Sequence, residues 1–134
     1  MNQLQIIAPL VGRVLLSSIF IIAGLSKIGA YGATAGYMDM MGVPGGLLPI
    51  VILVEIGAGI MLLVGWQTRL AAVLLGGFSV LSAIVFHLIP GLRLQDVMAQ
   101  QAEINIFMKN MAIAGGMAVV FAFGAGRFAF DNRA

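Results

Sequence analysis

A single carboxylate interrupts the apolar stretch PIVILVEIGAGIMLLVG, which runs from residue 49 to residue 65. Glu55 lies near the middle of this stretch, and a charge at the centre of a membrane costs at least about 2.5 to 3.5 kcal/mol on insertion scales. Its side chain is too short to reach the interface from that depth. Glu55 must therefore be paired with a cation or hold a proton, and a carboxyl group in either state is a candidate for proton transfer.

Four other polar residues are predicted to lie at a similar depth on three further segments. A helical rise of about 1.5 Å per residue places all of them in the outer half of the membrane; they are Lys27, His87, Lys109 and Asn110. Together with Glu55 they predict a polar ligand-binding site, in which Glu55 and His87 are the candidates for proton transfer. Counting Lys27 and Lys109 against Glu55 leaves one surplus positive charge, which favours an anion or a polar ligand.

Each of these residues also has a purely structural interpretation. A lysine near a helix end often extends to the lipid headgroups, which would account for Lys27 and Lys109. His87 could cap a helix end, Asn110 could bridge two helices, and Glu55 could belong to a structural ion pair. One histidine without a second obvious ligand predicts no metal site.

The composition indicates that lipid surrounds these residues. Of 134 residues, 61% are hydrophobic and 9% are charged, whereas about a quarter are charged in soluble proteins. The runs are too long for the strands of a membrane barrel. We therefore predict an all-α integral membrane four-helix bundle that forms one domain over residues 1–134. Four segments approach the roughly 20 residues that a membrane-crossing helix needs, at about 7–28, 47–65, 69–89 and 106–125.

The first segment has a polar face, which argues against its being a cleaved leader. A leader that ends near Ala33 is the competing interpretation, but no Lys or Arg precedes Arg13. At about 100° per residue, five residues share one face that should look into the bundle; they are Arg13, Ser17, Phe20, Gly24 and Lys27. Arg13 is predicted to be a structural polar residue near one end of the helix.

The charges outside the helices predict the orientation in the membrane. Arg69, Arg127 and Arg133 lie on the same side of the predicted bundle, and Arg93 alone lies on the other side. Because cytoplasmic loops carry an excess of Lys and Arg, both termini are predicted to be cytoplasmic.

The connections between the helices are predicted to differ. GWQTR, residues 65–69, should be a tight turn between antiparallel helices. The first outer connection, residues 29–46, should contain a short interfacial helix that stops at Gly42 and Pro44. The second, residues 90–107, is either an interfacial helix or an outward extension of the fourth helix.

Several classes of cofactor and partner are disfavoured by composition. The chain has no cysteine and one histidine, so we expect no metal site, no iron–sulfur cluster and no bis-histidine haem within a single chain. An electron carrier would have to be a bound organic molecule or a partner protein. The net charge of +2 is spread along the chain, so nucleic acid is not an expected partner.

Four motifs in this chain resemble the DoxX family. In chain order they are GRVLLSSIFIIAGLSKI at 12–28, LVEIGAGIMLLVGWQTRLAA at 53–72, KN at 109–110 and GAGRFAFD at 124–131. The positions that match the family pattern are Arg13, Gly24, Lys27, Glu55, Gly59, Gly65, Lys109, Gly126 and Asp131. The terminal motif departs from the pattern, with Ala125 where proline is common and Ala129 where serine is common.

The resemblance implies a multi-pass protein of the bacterial cytoplasmic (inner) membrane. It also implies a membrane subunit of a redox assembly, as in thiosulfate oxidation coupled to quinone. On this interpretation a quinone headgroup and a redox partner protein are expected, and the headgroup would lie in the outer half of the bundle. The residues expected to hold it are Lys27, Glu55, His87, Lys109 and Asn110.

Two other functions stay open at this point. The same residues could serve a carrier or receptor for a small anion or a lipid, and a homo-oligomer could then supply the path that four short helices lack. The charges could also lock the helices of a non-catalytic scaffold. The lipid bilayer is a partner under every interpretation.

Overall fold

The computed structural model, which describes residues 1–132, contains four helices that are long and apolar enough to cross a membrane. This confirms the predicted all-α four-helix membrane architecture. In chain order the helices are α1 (Gln3–Gly29), the short α2 (Tyr31–Met40), α3 (Gly45–Val64), α4 (Thr68–Arg93) and α5 (Val97–Phe123), followed by a 3₁₀ turn at Phe130–Asn132.

Helix α1 begins with a capping box and buries the face that its spacing predicts. The Asn2 side chain accepts a hydrogen bond from the Gln5 amide at 2.9 Å, and the Gln5 side chain accepts one from the Asn2 amide at 3.1 Å. Leu15 and Ile22 on the opposite surface are exposed, as expected for contact with lipid. The buried residues are Arg13, Ser17, Phe20 and Gly24.

The connections lie on two sides of the bundle, which we name from the chain. The terminal side carries the turn at residues 65–67 together with Met1 and residues 124–132, and the far side carries α2 and the start of α5. The predicted short helix after α1 is α2, and the second outer connection continues the fourth helix, since α5 begins at Val97. That the terminal side faces the cytoplasm stays a prediction.

The tight turn on the terminal side depends on left-handed backbone conformations. Gly65 ends α3 with φ at 74°, and its amide donates to the Met61 carbonyl at 2.9 Å. Gln67 has φ at 48°. Among residues 1–132 it is the only residue other than glycine with a positive φ. The chain reverses over three residues and α4 starts at Thr68.

The core lies where α1, α3, α4 and α5 meet. Leu62 and Leu75 are fully buried, and the Phe20 ring packs edge-on against Phe78 with the ring centroids 6.5 Å apart. From α5 only Met117 is buried, because this helix packs mainly on α4 and leaves its other surfaces open.

A close approach of α1 and α3 sets the level of the polar residues. A Cβ atom on Gly24 would lie 2.5 Å from Cγ1 of Ile56, and one on Gly59 would lie 2.8 Å from Cγ1 of Ile21. Both distances are shorter than real Cβ contacts, so glycine lets the two helices touch. Lys27, one turn beyond Gly24, is thereby brought level with α3.

Two segments of the long helices are wound as π-helix. They are Leu53–Ala58 within α3 and Ile84–Leu88 within α4. Each carries an ionisable residue of the predicted site, namely Glu55 and His87. Such widened turns occur frequently at functional sites.

Candidate functional site

Lys27 and Glu55 form an ion pair between α1 and α3. The Lys27 Nζ atom lies 2.7 Å from Oε1 of Glu55, and the side chains are 29% and 2% exposed. The pair supplies the cation that a carboxylate at this depth requires. Among residues 1–132, no other donor lies within hydrogen-bond distance of the Glu55 carboxylate, so Lys27 is its only ionic partner there.

His87 and Glu103 form a second pair between α4 and α5. The Nδ1 atom of His87 lies 2.7 Å from Oε2 of Glu103, with side chains 23% and 31% exposed. Gly91, one turn after His87, permits this contact because a Cβ there would lie 2.8 Å from the Cβ of Glu103. The sequence did not predict Glu103 as a site residue. The sequence did contain a signal for it, because apolar residues keep a helical spacing through residues 90–107, before the fourth hydrophobic run.

A cavity of about 490 Å³ opens beside both pairs in the far half. Residues of α1, α2, α3 and α4 contribute to its wall, together with Val43. Five lining residues carry polar side chains, namely Lys27, Thr34, Tyr37, Ser82 and His87. The others are apolar: Met38, Val43, Val51, Phe78, Leu81, Val85 and Phe86. A largely apolar wall with a few polar groups is typical of small-molecule sites.

Helix α2 supplies an aromatic wall of the cavity. The Tyr37 ring stacks on Phe86 with the centroids 5.7 Å apart and the planes inclined by 26°. Burial raises the pKa of the Tyr37 hydroxyl above its ordinary value, and the negative charge of Glu103 raises it further. Tyr37 therefore keeps its proton at neutral pH and can donate a hydrogen bond to a ligand.

The structure brings together only part of the predicted site. Lys27 and His87 line the cavity, whereas Glu55 lies behind Lys27 and is not on the wall. Lys109 is exposed and Asn110 is half-buried on α5, and neither lines the cavity. Their depth in the membrane stays a prediction, and depth alone does not set which way a helix faces.

The charge count in the cavity differs from the predicted count. Lys109 lies outside the cavity, and Glu103 adds a carboxylate that the sequence did not place there. Lys27 is balanced by Glu55, and a protonated His87 would be balanced by Glu103. The expected surplus positive charge is therefore absent from this cavity, which removes the argument for an anionic ligand.

The hydrogen bond on Nδ1 determines what the His87 ring can do. When the ring is neutral and Nδ1 donates to Glu103, Nε2 is a hydrogen-bond acceptor; when the ring is protonated, Nε2 is a donor. Within residues 1–132, Nε2 has no partner. His87 can therefore take a proton from a ligand hydroxyl or donate one to a ligand carbonyl.

On the terminal side, Arg13 binds backbone carbonyls. The residue is 1% exposed, and Nη1 donates to the carbonyls of Leu62 at 3.1 Å and Leu63 at 2.9 Å. Nη2 donates to the carbonyl of Phe128. The last carbonyls of a helix have no partner within it, so Arg13 completes the end of α3 and ties residue 128 to it.

Asp131 ties the terminal motif to the start of α4. Its carboxylate accepts hydrogen bonds from the amides of Gln67 at 2.7 Å and Thr68 at 3.0 Å, and its own amide donates to the Gly65 carbonyl at 2.8 Å. Burial raises the pKa of this carboxyl, but hydrogen bonds from Thr68 and Gln67 and the charge of Arg13 outweigh that effect and lower it. Asp131 is therefore a charged N-terminal cap of α4.

The two alanines of the terminal motif that differ from the family pattern pack against the bundle. Ala125 and Ala129 are buried, and a Cβ on Gly65 would lie 2.4 Å from the Cβ of Ala129. The close contact between Gly65 and Ala129 accounts for a small side chain at position 129. The terminal motif lies away from the cavity and none of its residues lines it.

The fold and the cavity define a class, that of small helical membrane proteins with an internal cavity. A profile of the DoxX family matches residues 8–88, and the chain belongs to the DoxX family. It is 39% identical to the Escherichia coli (strain K12) "Inner membrane protein YqjF" over 132 residues, covering 98% of this chain and 95% of that protein.

A second Escherichia coli (strain K12) relative, "Inner membrane protein YphA", is 30% identical over 128 residues, covering 92% of this chain and 88% of that protein. No solved structure matches the chain. The named relatives and the four spanning helices make this an integral protein of the bacterial inner membrane.

Proposed function

We propose that this protein is the membrane subunit of a redox-associated complex and that its far-side cavity binds a quinone headgroup. The observation that carries the proposal is an apolar cavity whose polar residues Lys27 and His87 are each held by a carboxylate. Such a cavity offers hydrogen-bond donors without a strong net charge. A neutral ring with two carbonyl groups suits that combination better than an ion does.

The size and lining of the cavity fit this ligand. A volume of about 490 Å³ lies within the usual range for small-molecule sites. The stacked rings of Tyr37 and Phe86 offer an aromatic surface to a flat headgroup. Leu81 lines the cavity and is 66% exposed on the helix surface, so an apolar tail has a direct exit to the acyl chains.

Lys27 and His87 would orient the headgroup through hydrogen bonds. The Lys27 ammonium has three N–H donors, of which one faces Glu55, so the others are free for a carbonyl oxygen. His87 Nε2 would face the second polar position. Glu55 then acts by holding Lys27 charged and in place, rather than by touching the ligand.

Bound quinone would supply two-electron, two-proton redox chemistry, with the electrons exchanged with a partner protein. The residues of this chain would manage the protons. His87 Nε2 accepts or donates a proton at the ligand oxygen, and the ring is oriented by Glu103. Glu103 has a 31% exposed side chain and lies about two turns from the far-side start of α5.

Mass spectrometry of the purified protein tests the proposal. The full chain is isolated in mild detergent from a quinone-producing bacterium as wild type, His87→Gln and Lys109→Gln, and bound small molecules are extracted. We expect quinone in the wild type and in Lys109→Gln, because residue 109 lies outside the cavity, and a loss of most of it in His87→Gln. Equal quinone in all three variants would mean detergent carry-over and would contradict the site.

The same measurement separates the other functions. Because the lining is mostly apolar, a lipid in place of the quinone, retained by the wild type and lost by His87→Gln, would favour a lipid carrier or receptor. A protein that carries a redox cofactor and co-purifies with the chain would support the redox assembly. No small molecule in any variant would favour a scaffold.

A further inference from the structure

A second cavity, of about 560 Å³, lies on the terminal side between the start of α4 and the terminal motif. Two arginines from separate parts of the chain line it, Arg69 near the start of α4 and Arg127 after the end of α5. The proposed quinone site has no part in it, since no residue lines both cavities.

The charge of this cavity is not balanced by the residues around it. Neither Arg69 nor Arg127 has an ion-pair or hydrogen-bond partner within residues 1–132, and both are exposed. Asp131 also lines the cavity, but both of its oxygens accept backbone amides of Gln67 and Thr68. Two arginines against one engaged carboxylate leave a net positive charge.

The terminal motif is held in a defined position relative to Arg69. Gly124 turns the chain at the end of α5 with φ at 83°, and a Cβ on it would lie 3.5 Å from Nη2 of Arg69. Beyond Arg127, the motif is fixed by Arg13 at the Phe128 carbonyl and by Asp131 at the start of α4. The two guanidinium groups therefore belong to a structured cavity.

Aromatic residues place this cavity at the level of the lipid headgroups. Phe123 lines it and is 82% exposed, and Trp66, next to Gln67, is 54% exposed. Exposed tryptophan at the end of a spanning helix marks the boundary between acyl chains and water. A group bound between Arg69 and Arg127 would lie at the same height.

We propose that the terminal-side cavity binds a phosphate group, supplied by the headgroup of an anionic phospholipid. Guanidinium groups match phosphate oxygens with paired, charge-assisted hydrogen bonds. A phosphatidylglycerol headgroup places its phosphate at this depth and carries no cationic group. Phosphatidylcholine carries a quaternary ammonium, which the two arginines repel, so the cavity selects the anionic lipid.

Native mass spectrometry of the full chain, released from nanodiscs of equal parts phosphatidylglycerol and phosphatidylcholine, tests this site. We expect the wild type to retain phosphatidylglycerol in preference, and Arg69→Gln/Arg127→Gln to lower that retention about tenfold, as expected for losing charge-assisted contacts. Arg93→Gln is the matched control, because Arg93 is an exposed arginine on the far side and should change nothing. A loss in Arg93→Gln in proportion to its one removed charge against two would reduce the effect to overall charge and overturn the proposal.

Asp131→Ala separates a structured cavity from a simple patch of charge. Removing this carboxylate makes the region more positive, so a patch would retain more phosphatidylglycerol. In the structured cavity Asp131 ties the terminal motif, which carries Arg127, to the start of α4, and we expect retention to fall several-fold. Higher retention would overturn the structured site.

Inorganic phosphate, added to the protein in phosphatidylcholine nanodiscs, identifies the source of the phosphate group. Weak binding compared with the lipid supports a headgroup site. Arginine-dependent binding of inorganic phosphate, with no lipid preference, would overturn the lipid assignment in favour of a soluble phosphate.

Discussion

The two ends of the bundle hold their charged side chains in different ways. On the terminal side, Arg13 donates to three backbone carbonyls and Asp131 accepts from two backbone amides. On the far side, Lys27 faces Glu55 and His87 faces Glu103, so both partners of each pair are ionisable side chains beside a cavity.

This difference shows which charges serve the fold and which are available to a ligand. Backbone groups do not titrate and hardly move, so the bonds of Arg13 and Asp131 fix the path of the chain. A side-chain pair can redistribute a proton or turn a free donor toward a ligand. Burial alone does not separate the two roles, because Arg13 and Glu55 are equally buried.

The largest effect is expected for Arg13→Met. The substitution removes every donor to the carbonyls of Leu62, Leu63 and Phe128, so it should lower the free energy of unfolding by about 4 kcal/mol. Thermal unfolding in detergent measures the loss. Arg93→Met on the far side is the control and should unfold near the wild-type temperature. A small effect of Arg13→Met would show that the backbone bonds do not stabilise the fold.

Breaking one partner of the Lys27–Glu55 pair should have the next largest effect. Lys27→Met leaves Glu55 either charged without a partner or protonated at 2% exposure, which we expect to cost about 2 to 3 kcal/mol. The double variant Lys27→Met/Glu55→Met removes both charges and should recover most of that loss in the same unfolding measurement. If the double variant were less stable than the single one, the pair would not be the reason for the loss.

Crowding the second pair should cost less. Gly91→Ala puts a Cβ 2.8 Å from that of Glu103 and should move α5 away from His87, with a net loss of about 1 to 2 kcal/mol. Gly77→Ala on the same helix meets no atom within 4 Å and should keep or raise the unfolding temperature. Similar outcomes for both glycines would contradict the close approach at Gly91.

The smallest stability effect is expected for Asp131→Ala, which loses a helix cap worth about 1 kcal/mol. Asp96→Ala, whose side chain caps α5 through one amide at 3.2 Å, should cost less. The folded-state pKa of Asp131 lies below that of an unfolded aspartate, about 3.9. Its stabilisation is therefore complete above that value and is lost as the pH falls through the folded-state pKa. An Asp131→Ala deficit that persists unchanged at pH 2 would contradict the role of its charge.

Much of the fold could be predicted because lipid imposes simple rules. Long apolar runs gave the four spans, and the 3- and 4-residue spacings of α1 gave its buried face. Gly42 and Pro44 indicated where the short helix α2 ends. These features depend on the local sequence and on the thickness of a membrane, so the sequence alone is enough to predict them.

The site could be predicted only in part, because depth along a helix does not determine which face points inward. The apolar residues of α5 are spread around the whole helix, so nothing in the sequence showed that Lys109 is exposed. The two π-helical segments, which carry Glu55 and His87, have no recognisable signal in the sequence. Glu103 was missed because its contact with His87 depends on Gly91 and on the tertiary approach of α5.

The most direct test compares the two ends in one measurement, the rise in unfolding temperature that a short-chain benzoquinone produces. A ligand that binds only the folded state raises this temperature according to its concentration and affinity. We expect the same rise in the wild type and Asp131→Ala and almost none in His87→Gln. A rise that survives in His87→Gln, or one that disappears in Asp131→Ala, would contradict the assignment of ligand binding to the far side.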